Sequence, residues 1–229
     1  MTIRRAAPAL LLLCGVVCAQ DASKDRELDD ILMKAAQSEA AGDKSATVNL
    51  LETALQKTQK NLALKDREPE VLAKLGKAYV ALQRPAEAVR TYQLLLDTLK
   101  QDCGPASPRM DRCAEAQYGM GTAEMYKGDF AAAATILRQA IASYSVLVKG
   151  SVTDEFRMAR LKQQADAQSL LAAALFRTGK KPEAIAAFER ALQQLGLVEK
   201  NPASGDTLRE AARTSARDAQ ASLDLLRKN

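Results

Sequence analysis

The chain lacks histidine and tryptophan altogether, and only 4% of its 229 residues are aromatic. Without histidine, most general-base, zinc-binding and Ser–His–Asp arrangements lose their usual member. The sequence also contains neither of the glycine-rich phosphate-binding motifs, G-x-x-x-x-G-K-[ST] and G-x-G-x-x-G. An alternating pattern that would predict β-strands is missing as well. We therefore expect no enzyme, no metal or cofactor site, and no β-sheet.

The chain has no large excess of one charge either. Its 33 Lys and Arg residues stand against 28 Asp and Glu residues, which gives a net charge of +5. The two signs are interspersed along the chain, as on an ordinary solvated helical surface. A nucleic-acid footprint would require basic residues gathered on one face. We therefore expect no nucleic-acid partner.

Long apolar runs are missing except at the N-terminus, where residues 6–17 follow Arg4 and Arg5. A run of this length is too short to cross a bilayer comfortably. The residues Val17-Cys18-Ala19 then suit a signal peptidase, and a polar stretch begins at once. This pattern predicts a signal peptide over residues 1–19. It implies a periplasmic or secreted protein that is not stably inserted in a membrane after cleavage.

Two alternatives stay open for this N-terminal segment, a retained membrane anchor and lipid attachment. Bacterial lipid attachment needs a cysteine that a small residue precedes. Here Leu13 precedes Cys14 and Val17 precedes Cys18, so both cysteines depart from that pattern. The sequence favours cleavage after Ala19 over both alternatives.

Cysteine is scarce, and only Cys103 and Cys113 remain once the signal peptide is removed. In an oxidising compartment a disulfide between them is the expected state, and a pair of free thiols is the alternative. The bridge would close a loop of about eleven residues and contribute about 3 kcal/mol in the chain-entropy model. The spacing is unlike a C-x-x-C redox motif, and two thiolates do not complete a zinc site.

The residues that are abundant, among them Ala, Leu, Gln, Lys, Arg and Glu, are good helix formers. A recurring spacing organises them: a small residue, another small residue twelve positions later, a bulky residue four beyond it, and an apolar residue three further on. This spacing predicts pairs of short antiparallel helices whose backbones approach closely. Its four copies are Ala35-Thr47-Leu51-Ala54, Gly76-Ala88-Tyr92-Leu95, Gly121-Ala133-Leu137-Ala140 and Ala172-Ala184-Phe188-Ala191.

This pattern resembles the tetratricopeptide repeat, a family of roughly 34-residue helix–turn–helix units. The resemblance implies an all-α fold, a right-handed superhelical solenoid of antiparallel helix pairs with a C-terminal capping helix. A plain bundle of helical hairpins is the alternative. The resemblance places a repeat domain over residues 20–229. Its parts are units at about 28–61, 69–102, 114–147 and 165–198, and a capping helix at about 205–227.

Turn residues set the expected helix bounds within this domain. Glycine at positions 42, 128 and 179 is typical of a helix end, and Pro85 and Pro182 are typical of a helix start. Residues 20–26 are expected to be frayed. The predicted helices cover about 26–41, 44–62, 111–126, 130–147, 153–178, 182–196 and 205–227, with a further pair inside 69–102.

The repeat is interrupted twice. The step from Gly76 to Gly121 is about 45 residues and the step from Gly121 to Ala172 is about 51, against roughly 34 for the family. The extra residues fall at 101–113, where Gly-Pro and Ser-Pro are typical of a loop, and at 148–164. These two insertions mark where this chain differs from its relatives.

In the family that this chain resembles, the first helix of each pair lines a concave groove in which partners bind. Carrying the inward-facing positions onto this sequence gives a candidate partner-binding groove of Lys77, Tyr118, Thr122, Tyr126, Ser169, Phe176 and Arg177. The resemblance implies a non-catalytic module that binds a protein or peptide in the cell envelope. The alternative is a structural subunit of an envelope assembly that uses its convex or end surfaces.

Overall fold

A computed structural model of the chain describes residues 9–104 and 107–228, with side chains from residue 25 onwards apart from residue 101. These residues form α-helices, two short 3-10 helices and no strand, which confirms the predicted all-α class. The α-helices are α1 (Ala9–Ala40), α2 (Lys44–Lys60), α3 (Glu68–Ala81), α4 (Pro85–Thr98), α5 (Met110–Lys127), α6 (Phe130–Gly150), α7 (Asp154–Arg177), α8 (Lys181–Lys200) and α9 (Asp206–Lys228).

The predicted start of the first helix at about residue 26 is wrong, because α1 runs without a break from Ala9. No glycine or proline stands between residues 20 and 26 to end a helix there. Of the predicted signal peptide, residues 1–8 lie outside the described part of the chain. Its cleavage after Ala19 and the alternatives at Cys14 and Cys18 stay predictions.

Each helix pair turns through the same backbone motif. A residue with positive φ stands two positions before the second helix, and its N–H donates to the carbonyl three residues earlier. The next N–H donates to the carbonyl five residues before it. This Schellman arrangement satisfies carbonyls that the helix end leaves without partners. The positive-φ residues are Gly42 (79°), Gln83 (59°), Gly128 (88°) and Gly179 (78°).

The second helices of the pairs start in two alternating ways. In the first and third pairs an aspartate caps the helix: Asp43 accepts from the N–H of Ala46, and Asp129 accepts from the N–H of Ala132. In the second and fourth pairs a proline stands in the first turn instead. Proline is tolerated there because its missing N–H would have no partner in the helix.

The chain divides into two compact units, residues 1–78 and 79–229. In the N-terminal unit α1 packs on α2, and a 3-10 helix (Leu62–Arg67) follows α2. Arg67 on this 3-10 helix donates to Asp25, Asp29 and Glu70 at 3.0, 2.9 and 3.2 Å. It thereby joins α1 to the start of α3. The buried core beneath consists of Leu28, Ala54, Leu64 and Val71.

In the C-terminal unit, α4 to α9 pack in chain order, each helix on the next. From α5 onwards short turns join successive helices and make them antiparallel neighbours, whereas the longer segment 99–109 joins α4 to α5. The terminal helix α9 packs on α8 and α7 with an apolar stripe of small and aliphatic residues, as predicted for the capping helix. One cluster of buried residues in this unit consists of Ala133, Ala134, Leu137, Leu171, Ala172, Ala174, Leu175, Ala184, Ala187, Phe188, Ala219, Leu223 and Leu226.

Two glycines in α5 allow neighbouring helices to approach it closely. A Cβ atom at Gly121 would lie 2.7 Å from Cγ of Leu137 on α6, and one at Gly119 would lie 2.3 Å from Cζ of Tyr92 on α4. Real Cβ atoms do not approach other atoms so closely. The sequence Gly119-Met-Gly121 therefore lies inside a helix and serves helix packing.

Glu124 stands on α5 where the repeat usually has a bulky aromatic residue. It is buried, with an exposed fraction of 5%. Nζ of Lys127, one turn later, lies 2.8 Å from its Oε2. Because a buried carboxylate is costly unless it is paired, this ion pair explains how a charge is tolerated at that position.

Helix α6 would suit a membrane span by length and apolar composition alone. Its buried residues, however, pack between α5 and α7, and both neighbours contact it extensively. Ala133, Leu137 and Tyr144 are each no more than 1% exposed. In this structure α6 is therefore a core helix of the C-terminal unit.

Candidate functional site

An open groove of about 360 Å³ lies in the C-terminal unit, where the first helices of successive pairs, α5 and α7, meet α9. Its floor is apolar, and α8 contributes one buried aromatic ring to it. We call it the α5–α7–α9 groove. It is lined by Tyr118 from α5, by Asp166, Ser169, Leu170 and Ala173 from α7, by Phe188 from α8, and by Ser215, Asp218, Ala219 and Ser222 from α9.

Among the described residues, the charged groups that line this groove are the carboxylates of Asp166 and Asp218. Nζ of Lys162 lies 2.7 Å from Oδ2 of Asp166 and largely compensates its charge. Asp218 is exposed and forms no ion pair within residues 25–104 and 107–228. The groove therefore has a net negative charge that the surrounding described residues leave uncompensated.

Hydroxyl groups form the remaining polar part of the groove. The Ser169 hydroxyl is buried and makes no hydrogen bond within the described part of the chain. Oγ of Ser222 donates to the carbonyl oxygen of Asp218 at 2.9 Å, which leaves its lone pairs available as acceptors. Buried polar atoms without a partner are uncommon in folded proteins. Ser169 is thus a group that a bound ligand could satisfy.

Tyr118 stands at the edge of the groove on α5. Burial, and to a smaller degree the negative charge of Asp166, raise the pKa of Tyr118 to about 12. Its phenol is therefore neutral across the physiological pH range. It offers a partner an aromatic surface together with a neutral hydroxyl, and no additional charge.

Of the residues that the sequence predicts for the partner-binding groove, Tyr118 and Ser169 both line the α5–α7–α9 groove. The other predicted residues lie elsewhere. Thr122 is half-buried one turn after Tyr118, and its Oγ1 donates to the Tyr118 carbonyl at 2.9 Å. Tyr126 and Phe176, with exposed fractions of 66% and 40%, lie near the C-terminal ends of α5 and α7. None of the three lines the α5–α7–α9 groove. Their role in partner binding stays a prediction.

The two predicted cations of the groove have partners of their own. The guanidinium of Arg177 lies 4.4 Å from the centre of the Phe130 ring, a cation–π contact. Lys77 belongs to the N-terminal unit, where its side chain is 75% exposed and its Nζ lies 3.4 Å from Oε1 of Glu39. Neither residue lines the α5–α7–α9 groove.

Sequence reasoning missed the contribution of α9 to the groove. That helix was expected only to cap the repeat, yet it supplies four of the ten lining residues. A signal was present, because Ser215, Asp218 and Ser222 recur at intervals of three and four beside the apolar stripe of α9. That interval places polar side chains on one helical face.

A second pocket, of about 370 Å³, forms where the two insertions meet, and we call it the insertion pocket. The first insertion contributes its Ser-Pro segment and the second contributes the end of α6 and the start of α7. Two apolar side chains at this pocket are strongly exposed, Val152 at 96% and Phe156 at 63%. Its lining residues are Ser107, Pro108, Val146, Leu147, Gly150, Ser151, Val152, Phe156 and Arg160.

Covalent and ionic links hold the first insertion in place. The predicted disulfide is confirmed: the sulfur atoms of Cys103 and Cys113 are 2.06 Å apart. Arg109, inside the loop that it closes, donates to Asp102, just before the loop, at 3.0 Å. Arg160 of the second insertion lies 3.3 Å from a carboxylate oxygen of Asp111 at the start of α5. The two insertions are therefore joined to each other as well as to the helices.

Among the residues whose side chains the structure describes, no group of three or more cysteine, aspartate or glutamate side chains is arranged to hold a metal ion. Two acidic residues are among those that line the groove, and one of them is paired with Lys162. The described residues thus point to the chemistry of binding surfaces: apolar contact, hydroxyl groups and one free carboxylate.

Two models of the tetratricopeptide repeat family match the chain, over residues 71–106 and 118–204, and together they cover more than half of it. Among solved structures, TPR-like repeats attributed to a kinesin light chain of Podosopora anserina align with a TM-score of 0.60 and 20% identity, covering 88% of this chain and 93% of that one. BtubC (BKLC) from P. vanneervenii aligns with a TM-score of 0.55 and 18% identity, covering 90% and 91%. At such identities the likeness shows the fold alone. No curated protein matches the chain.

Proposed function

Because the chain belongs to the tetratricopeptide repeat family, whose members are protein–protein interaction modules, we propose that it binds a protein or peptide partner in the α5–α7–α9 groove. One observation carries the proposal: α5, α7 and α9 converge on a single open groove that joins an apolar floor to free polar groups. The proposed function is non-catalytic and requires no cofactor.

The composition of the groove suits a peptide side chain better than a small polar metabolite. Leu170, Ala173 and Phe188 form an apolar floor on which an aliphatic or aromatic group would be removed from water. The volume lies at the small end of the range for ligand pockets, which is about 300–1,000 Å³. We therefore propose that the groove accepts one or two side chains of an extended segment, the rest of which lies along the helices.

The groove does not suit the recognition of a terminal carboxylate, which some members of the family clamp with paired Lys and Asn residues. No cation is among its ten lining residues. Lys77, the only lysine at a predicted groove position, is on the N-terminal unit and faces Glu39. A partner held by its C-terminal carboxylate is therefore not part of the proposal.

The experiment places a photo-crosslinking amino acid at Ser215 in the groove and, in a second variant, at Gln220 on the exposed side of the same helix. The full chain is expressed in its own cells and illuminated there. We expect a protein crosslinked through position 215 and not through position 220. That protein is then purified and titrated against the unlabelled chain.

A steric block is the matched control for this experiment. Ser215→Trp fills the groove, and Gln220→Trp adds the same side chain outside it. We expect the first variant to weaken binding of the crosslinked partner at least tenfold and the second to leave the Kd unchanged. Equal binding by both variants would show that the partner uses another surface.

We also propose that the mature protein is exported. The basic, apolar and small-residue order of residues 1–19 supports this location, and the bridge between Cys103 and Cys113 is consistent with an oxidising compartment. Mass spectrometry of the protein from its own cells should find Gln20 as the first residue and a mass two hydrogen atoms below that of the dithiol. A mature chain that keeps Met1 and free thiols would contradict the proposal.

The second candidate function is that of a structural subunit in an envelope assembly. The exposed side chains of Val152 and Phe156 favour it, because large apolar groups left in solvent often belong to an interface. The two candidates differ in solution behaviour. A monodisperse monomer favours the groove-binding module, whereas association that Phe156→Ser abolishes favours the subunit.

A further inference from the structure

The charged residues that line the α5–α7–α9 groove are all negative, and this indicates what kind of residue it accepts. Asp218 is the lining carboxylate without an ion pair in the described part of the chain, and no cation is among the lining residues. We infer that the groove recognises a lysine or arginine side chain of the partner, held by the Asp218 carboxylate. This inference rests on the proposed function and specifies its ligand chemistry.

Two cations, one next to Asp218 in the sequence and one beside the other lining carboxylate, are paired with other carboxylates. Arg217 precedes it directly, and its guanidinium lies 3.6 Å from an oxygen of Glu210. Lys162 is bound to Asp166 at 2.7 Å. Each of the two cations therefore pairs with a carboxylate other than Asp218, and an incoming cation meets a carboxylate that has no ion pair among the described residues.

The shape of the lining matches a long side chain with a charge at its end. Leu170, Ala173 and Ala219 contribute apolar atoms to the lining, and Asp218, which also lines the groove, is exposed. Lysine and arginine bury their aliphatic stems along such surfaces while their charged heads stay near polar groups. An acidic or purely apolar side chain would satisfy only one part of this lining.

Hydroxyl groups complete the arrangement for a cation that donates several hydrogen bonds. The lone pairs of the Ser222 hydroxyl are free, because that group donates its proton to the Asp218 carbonyl. The buried Ser169 hydroxyl has no partner within the described residues. Lysine has three donors and arginine five, so either can use these acceptors together with the carboxylate.

The neutral phenol of Tyr118 supports the same inference. Its phenol is kept neutral by burial and by the negative charge of Asp166, which raise the pKa of Tyr118. The aromatic ring therefore adds a surface over which a cation is favourable and adds no competing charge. The carboxylate of Asp218 remains the group that distinguishes a cation from a neutral side chain of similar length.

The probe is a library of random nonapeptides displayed on phage and selected on the full chain. We expect enrichment of peptides with lysine or arginine. One selected peptide is then made with a fluorescent label, and its Kd is measured with the cationic residue present and with methionine in its place. We expect the methionine peptide to bind about two- to fivefold more weakly, the range for an ion pair at an exposed carboxylate.

The variants Asp218→Asn and Asp224→Asn form a matched pair for this measurement. Both carboxylates are on α9, but Asp224 accepts from Gln220 outside the groove. We expect Asp218→Asn to weaken binding of the cationic peptide about as much as the methionine replacement does. Combining both changes should cause no further loss of affinity. Asp224→Asn should leave the Kd unchanged. Added salt should weaken binding only for those combinations of protein and peptide that keep both the Asp218 carboxylate and the cation of the peptide.

The outcomes separate this inference from the proposed function. If selected peptides are blocked by Ser215→Trp but show no preference for a cation and no response to Asp218→Asn, the inference is wrong and groove binding stands. If peptides bind equally well to the Ser215→Trp variant, the groove is not the binding surface. If no peptide is enriched, both proposals are overturned for partners of this class.

Discussion

The α5–α7–α9 groove and the insertion pocket are nearly equal in volume, about 360 and 370 Å³, and both lie in the C-terminal unit. They are built in opposite ways. The groove is lined by helices of the repeat and by the capping helix α9, which packs on the last pair. The insertion pocket is lined mainly by residues of the two insertions, at 107–108 and 150–160, together with Val146 and Leu147 at the end of the third unit.

The difference extends to what holds each region together. The regular part is shaped by backbone turns of one kind and by small residues where helices meet. The interrupted part is held by a disulfide and by ion pairs of Arg109 and Arg160. A repeat stabilises itself through contacts between neighbours. An insertion has no equivalent neighbour, so it depends on links of its own.

Removal of the disulfide is the change with the largest expected effect on this comparison. The double variant Cys103→Ala with Cys113→Ala should lower the free energy of unfolding by about 2–3 kcal/mol, because the unfolded chain gains the entropy of an open loop. Urea denaturation measures the loss. The groove should keep its peptide affinity, since none of its lining residues is in the loop.

Reduction of the unmodified protein supplies the control for the disulfide. A reducing agent should cause the same loss of stability in the natural chain and none in the double variant. If the double variant is as stable as the oxidised protein, the insertion is held by its ion pairs. The disulfide would then not distinguish the interrupted part of the chain from the regular part.

The regular part of the chain was largely predictable from sequence because its determinants are local. Glycine or proline near each turn and the spacing that leads from Gly121 to Leu137 gave the helix bounds to within a few residues from α2 onwards. The same local reasoning failed at α1. There the absence of a helix-breaking residue, and not the polarity of residues 20–26, decided where the helix extends.

The binding surfaces were less predictable because they depend on residues far apart in the chain. Tyr118 meets Ser169 and Asp218 only through the stacking of three helices. The two insertions were each identified from the stretched period, but nothing in the sequence showed that Pro108 and Phe156 line one pocket. Such contacts follow from tertiary packing, which the period of a pattern does not contain.

A substitution at Gly121 tests whether close helix approach controls the regular part. Gly121→Ala would place a Cβ 2.7 Å from Leu137, a fully buried residue that cannot move away freely. We expect a loss of about 1–2 kcal/mol, because the strain of overpacking exceeds the gain in helix propensity. Thermal or urea denaturation measures it.

Gly196 in α8 is the matched control for Gly121. It also stands inside a helix, but a Cβ atom there would meet nothing within 4 Å. Gly196→Ala should therefore raise the free energy of unfolding by about 0.5–1 kcal/mol. A loss of stability at both positions would mean that the two glycines do not differ in the way their surroundings indicate.

The smallest expected effect concerns Gln83, the one residue other than glycine at the positive-φ position of the four turns. A side chain in this left-handed conformation costs about 1 kcal/mol relative to glycine. Gln83 is exposed, so Gln83→Gly removes this cost without loss of buried contacts. Part of the gain is offset by the larger entropy of glycine in the unfolded chain. We expect a net stabilisation of about 0.5 kcal/mol.

The reverse exchange, Gly179→Gln, is the control. Its new Cβ meets no atom within 4 Å, and it should cost a similar amount of stability. Opposite signs for the two exchanges would confirm that backbone conformation alone makes the four turns alike, whereas the same sign for both would show that local side-chain contacts govern them.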